Sequence, residues 1–149
     1  MLRNFLTGAI LSAALATTTF AQVQFGTAAE AKAMLEKAVF ELKANEAVAL
    51  AKFNKGEGGF KDRDLYVFCF DMTTSKFTAG IPSVVGTEVN TLKEKDGSAL
   101  GEKVFNAAKE GAVTAVAYNF PRPGTTDPVP KESFVTRVGN QGCGVGYYK

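Results

Sequence analysis

Two hydrophobic periods divide the chain. Thr27-Ala28-Ala29-Glu30 has the form of a capping box, in which a Thr hydroxyl and a Glu carboxylate satisfy each other's free amides. Met34, Leu35, Ala38, Val39, Leu42, Ala49, Leu50 and Phe53 then recur at helical spacing, with Lys and Glu on the other face. No Gly or Pro interrupts this stretch, so the pattern predicts one helix over 27–53, on the order of 40 Å long. Such a helix outruns a small sheet, and its first turns are expected to project or to pack on a second copy. A homodimer through this N-terminal helix follows as an expectation.

The period then shortens to two. In DLYVFCFD (64–71), Tyr66, Phe68 and Phe70 share one face and Leu65, Val67 and Cys69 the other. Both faces are apolar, which predicts a central strand covered on two sides. A turn at 72–75 leads to a shorter strand at 76–81 and an irregular stretch to Asp96. Ser98 can cap a short helix carrying Leu100, Val104, Phe105 and Ala108, stopped by Gly111. Three strand-like runs, 112–120, 131–139 and 143–149, close the chain around a Pro/Gly-rich turn and Asn140-Gln141-Gly142. The order predicts an α+β fold with helices on one side of the sheet. A long N-terminal helix packs on a five-stranded, mainly antiparallel sheet, with a short helix between strands two and three.

Residues 1–21 read differently. Arg3 is the only charge before Glu30, an apolar run covers 5–16, and Thr19 and Ala21 put small residues at the −3 and −1 positions. This is the build of a signal peptide cleaved after Ala21. The apolar run is shorter than the roughly 20 residues of a membrane span, so no membrane insertion is expected. Residues 22–149 then form a single domain, periplasmic or secreted, with no output module attached.

Composition narrows the function classes. The chain has no His and no Trp. Without His, most hydrolytic triads, the usual zinc ligation and general-base work near neutral pH are removed, and no enzyme is expected. A formal net charge of +2 gives no support to binding nucleic acid. Asp62, Asp64 and Asp71 do not follow calcium-loop spacing, so neither a metal nor a cofactor is expected. Cys69 and Cys143 lie in distant strand-like runs. In an oxidising compartment a bond between them would stabilise by about 4 kcal/mol. Two separate buried thiols satisfy the sequence equally well.

DLYVFCFD at 64–71, Val85-Gly86, Asp96-Gly97, the run Tyr118-Asn119-Phe120-Pro121-Arg122-Pro123, Pro130-Lys131-Glu132-Ser133-Phe134-Val135 and Gly144-Val145-Gly146-Tyr147-Tyr148 occur in an order that resembles a single Cache domain. This is a PAS-like, extracytoplasmic ligand-sensing fold, and the resemblance runs from about Ala31 to Lys149. It implies a pocket between the sheet and the loop-helix segment for a small organic ligand, often a short carboxylate. Free-standing exported copies of the fold occur beside those in chemoreceptors. Three positions depart from the family pattern: Gly80-Ile81-Pro82 replaces a His-Pro-like pair, Phe120 a common Trp, and Phe134 a common Tyr. Each change removes a hydrogen-bonding group.

The candidate ligand-binding residues are Tyr118, Phe120, Lys131, Arg122, Arg137 and Phe77. Tyr118 can cover an apolar ligand with its ring and orient a polar group with its hydroxyl; a core Tyr bonded to backbone is the alternative. Lys131 and Arg137, on the fourth strand, could balance a carboxylate or stand as a solvated strand edge. Arg122 between two prolines could cap a pocket or be an exposed turn cation. Phe77, Phe105, Phe120 and Phe134 read as core residues that a small domain can also present to a ligand. The resulting expectation is an exported, sensor-type module for a small organic carboxylate or similar metabolite, presented to a membrane receptor or sensor partner. The alternative is a periplasmic interaction or assembly module of the same fold that has lost ligand binding.

Overall fold

The computed structural model describes residues 25–149; the predicted signal peptide lies outside them. The capping box forms as read, with Thr27 and Glu30 bonded reciprocally at the start of α1 (Ala28–Ala44). The long helix does not continue to Phe53. Asn45 ends α1 by donating its N–H to the Glu41 carbonyl, and its side chain accepts from Val48 N–H to begin α2 (Glu46–Lys55). Asn supplies a cap from its own side chain, and that local bond outweighs the helix propensity of the surrounding alanines. An ion pair of 2.7 Å between Lys52 and Glu41 braces the two helices. Gly56, at φ 70°, takes the left-handed C-cap that glycine adopts without strain.

The sheet has six strands rather than five. β1 (Lys61–Asp62) is the unforeseen one, a charged pair too short for a hydrophobic period. β2 (Leu65–Asp71), β3 (Phe77–Ala79), β4 (Thr114–Pro121), β5 (Pro128–Val138) and β6 (Gln141–Tyr148) follow the predicted runs. Their order is β1-β2-β6-β5-β4, all antiparallel, with β3 also paired to β2. The last strand in the chain is therefore the central one.

The helices do not all lie on one side. α1 and α2 cover one face over Leu65, Val67, Cys69, Cys143 and Val145. α3 (Leu100–Ala107) and the preceding loop cover the other over Tyr66, Phe68, Phe70, Val116, Tyr118 and Val135. An apolar strand such as β2 requires both layers, since each large side chain removed from water stabilises by about 1.5–3 kcal/mol. Ala99 rather than Ser98 stands at the N-cap of α3, which therefore has no side-chain cap, and the Ser98 amide donates to Asp96 Oδ1 in the turn before it. The helix ends at Ala108, before Gly111.

Cys69 and Cys143 are bonded. β2–β6 register sets them directly opposite, with Cα atoms 4.1 Å apart, and both are fully buried beneath the helices.

Candidate functional site

The site lies on the α3 side of the sheet, and the sequence of β6 makes room for it. Gly142, Gly144 and Gly146 alternate with Cys143 and Val145, so one face of β6 carries no side chains there. A methyl at Gly142 would overlap the Phe70 ring, one at Gly144 the Phe68 ring, and one at Gly146 both Ser133 Oγ and the Lys131 chain. The rings of β2 and the long side chain of Lys131 lie flat in the space these glycines leave.

Above this floor is a cavity lined by Tyr66, Phe68, Phe77, Val84, Val89, Leu92, Leu100, Val104, Tyr118 and Phe120. Its volume is about 30 Å³, and its walls are almost wholly apolar. Directly behind its Tyr66 and Phe120 walls sits the Lys131 ammonium. The Lys131 residue is only 2% exposed. Its Nζ donates to Tyr66 Oη at 3.1 Å and lies 4.5, 4.8 and 5.4 Å from the ring centres of Tyr66, Tyr148 and Phe120. Such faces attract a cation. No carboxylate among the described residues comes within ion-pair distance of it. Burial lowers its pKa from 10.5 to about 7, against an opposing influence from Asp64.

The hydroxyls around it are held in their neutral forms. Tyr118 Oη and Ser133 Oγ share a hydrogen bond of 2.7 Å, and burial raises the Tyr118 pKa to about 12. Burial likewise pushes Tyr66 well above its ordinary range. Tyr148 Oη donates to the Pro121 carbonyl at 2.7 Å, fixing the ring against the end of β4.

Tyr118, Phe120 and Phe77 thus line the cavity, and Lys131 backs it. Arg122 lies apart from the cavity wall. Its Nε is 3.6 Å from Asp64 Oδ2, and its guanidinium rests 4.4 Å from the Phe25 ring centre and 4.9 Å from that of Tyr148. Asp64 is itself buried and accepts from Gly26 N–H, tying the start of the described chain to β2. Arg137 is farther away: its Nε donates to the Gly139 carbonyl, and it borders a groove with Leu35, Val39 and Val113 beneath α1. Tyr66, Tyr148, Asp64 and Gly146 were not among the candidates drawn from the sequence. The alternating glycines of QGCGVGYY were the available signal for Gly146. Among the described residues no cluster of His, Cys, Asp or Glu could hold a metal ion. No described helix is long and apolar enough to cross a membrane.

An antiparallel sheet with a small apolar chamber between it and a loop-helix segment is the kind of enclosure that receives a small ligand. The family model for Single Cache domain 2 (sCache_2) matches residues 9–147, and the chain belongs to that family. It is a Cache sensor domain, of a kind that functions outside the cytoplasm and serves ligand binding and signal transduction. No curated protein matches it. Its fold is similar to a methyl-accepting chemotaxis protein from Vibrio parahaemolyticus, with a TM-score of 0.65, 20% identity, and coverage of 80% of this chain and 86% of that one. It is also similar to a periplasmic sensor domain of a chemotaxis protein, with a TM-score of 0.60, 22% identity, and coverage of 78% and 86%. A third similar structure is described as the "structural basis for carboxylic acid recognition by a Cache chemosensory domain", with a TM-score of 0.56, 22% identity, and coverage of 78% and 84%.

Proposed function

We propose that residues 22–149 are exported after cleavage behind Ala21 and act as a sensor module for a short organic acid. In this reading the carboxylate meets the Lys131 ammonium, and the hydrocarbon part lies among Phe77, Tyr118 and Phe120. One observation carries it: a lysine buried without an acid partner, immediately behind an apolar cavity. A buried charge without an opposite charge costs several kcal/mol, and an anion reaching the ammonium past the Tyr66 and Phe120 rings would remove that cost. The carboxylic acid recognition described for one similar Cache domain agrees with this ligand class. A cavity of about 30 Å³ holds on the order of one or two water-sized groups, which favours acids of two or three carbons. A receptor or sensor partner at the membrane would read the loaded state.

Thermal-shift measurements with a series of straight-chain acids test the reading. An acid at 100 times its dissociation constant stabilises by about 2.7 kcal/mol, and Lys131→Met abolishes that gain. If no acid in the series shifts the transition, carboxylate binding is refuted. The small volume and the missing polar groups at Gly80, Phe120 and Phe134 favour a second reading, an assembly module without a ligand. N-terminal sequencing of the exported protein checks the cleavage site: a first residue other than Gln22 removes the proposed boundary.

A further inference from the structure

The two edges of the sheet are not alike. On the β2 side the edge is occupied by β1, two exposed charged residues, and by the three-residue β3. Short charged edge strands of this kind discourage pairing with another chain. The opposite edge is β4, an eight-residue strand in unbroken register with β5, from Thr114↔Val135 to Pro121↔Pro128. TAVAYNFP contains no charge, and its proline stands at the very end. β4 therefore lacks the usual safeguards of an edge.

Which amides face outward follows from a single bond. Asn119 N–H donates to Glu94 Oε2 at 3.0 Å, away from β5, so that end of the edge is already covered. Backbone direction repeats every two residues, so Ala117 and Ala115 also turn their N–H and C=O groups outward. Both alanines are exposed, and Val113 just before them is half exposed. A strand docking here would meet small, neutral side chains and a short free ladder.

We propose that this ladder pairs with its own copy, β4 against β4 in antiparallel orientation about a two-fold axis at Val116. Ala115 then bonds with Ala117 of the second copy and Ala117 with Ala115, which uses the free groups on both chains and leaves the Glu94 cap in place. Charge favours the same arrangement. Glu94, Asp96, Asp127 and Glu132 stand at the Asn119 end against Lys95, Lys103 (on Glu94) and Lys149 (on Glu132), an acidic excess of one. Lys109, Glu110 and Arg137 surround the Thr114 end, a basic excess. Antiparallel pairing brings each acidic end to a basic end, and a two-fold axis does so twice. The result is one continuous sheet through two domains, with both cavities on the same face.

Sedimentation and light scattering at submillimolar concentration test this. The wild-type chain is expected at twice its monomer mass, with slow amide exchange at Ala115 and Ala117 that is lost on dilution. A115K/A117K places ammonium groups opposite one another across the axis and is expected to be a folded monomer. Ala117→Pro deletes only an outward N–H, keeps β4–β5 bonding, and is expected to weaken the dimer as well. Phe40→Glu, on the exposed face of α1, is expected to leave the dimer intact. A wild-type monomer would overturn the proposal, including one that captures a strand of another protein. A dimer that survives A115K/A117K but dissolves in Phe40→Glu would assign the contact to the helices instead.

Discussion

Replacing Lys131 by Met should stabilise this protein, and by an amount that depends on pH. Burial lowers the Lys131 pKa from 10.5 to about 7, while the unfolded chain keeps the ordinary value. At about 1.4 kcal/mol per unit, the folded state carries a cost of about 5 kcal/mol wherever both states are protonated, below about pH 7. Between pH 7 and 10.5 the unfolded chain binds the extra proton, so wild-type stability rises with pH across that window. From pH 6 to pH 9 the gain is about 2 to 3 kcal/mol. Met keeps the apolar stem and contact with the rings of Tyr66, Phe120 and Tyr148, but has no charge. It forfeits the bond to Tyr66 Oη, about 1 kcal/mol, while the attraction between ammonium and rings is already contained in the net cost of the charged form. K131M is therefore expected to be more stable than wild type by about 4 kcal/mol at pH 6, and by only about 1 kcal/mol at pH 9. None of the neighbouring tyrosines titrates in this window, since burial holds Tyr118 near 12 and raises Tyr66 and Tyr148 above their usual value. Urea unfolding of both proteins across the range measures the difference. Parallel stability curves would refute the reasoning and, with it, the unpaired ammonium behind the cavity.

Acid binding should weaken above about pH 7, approaching a tenfold loss per unit as Lys131 deprotonates, and titration calorimetry at several pH values reads that slope. Gly146→Ala should cost at least about 2 kcal/mol and abolish acid binding, because its methyl overlaps Ser133 and the Lys131 chain; denaturant unfolding with a binding assay checks both. Replacing Cys69 and Cys143 together by Ala should lower stability by about 4 kcal/mol, and reduction of the wild type should reproduce that loss in a thermal scan. Asn45→Ala should cost about 1 kcal/mol and fray the start of α2, measured by unfolding and by faster exchange of the Val48 amide.

The faces of β2 were legible in the sequence because alternation leaves only one assignment for Tyr66, Phe68 and Phe70 against Leu65, Val67 and Cys69. The capping box at Thr27 was legible for a similar reason, since both partners lie within one turn. The break at Asn45 was not. Alanines on both sides continue the helical period, and only the cap bond to Val48 distinguishes two helices from one. α3 was misplaced for a different reason: nothing in its own pattern states which face of the sheet it covers. Cys69 and Cys143 could be paired only once β2–β6 register was known. Lys131 was a candidate, but its burial was not legible, because a lysine at a strand end also reads as solvated. Its burial depends on space left by Gly146, on another strand, and on rings from Tyr66, Phe120 and Tyr148. Of the candidate cations, Arg122 and Arg137 share its charge but not that surrounding, which distance along the chain does not reveal.

The position of β6 has a consequence for how the molecule comes into being. This strand follows every other strand in the chain, yet it lies between β2 and β5 and holds the two halves of the sheet together. A ribosome that has made everything up to Gly139 has made a β4–β5 hairpin and a β2 strand with nothing to join them. Both apolar layers stay open until residues 141–148 emerge. Under the export proposed above, that delay keeps the chain threadable through a translocation channel. Closure then comes as one late event, when Cys143 reaches Cys69 on the far side of the membrane.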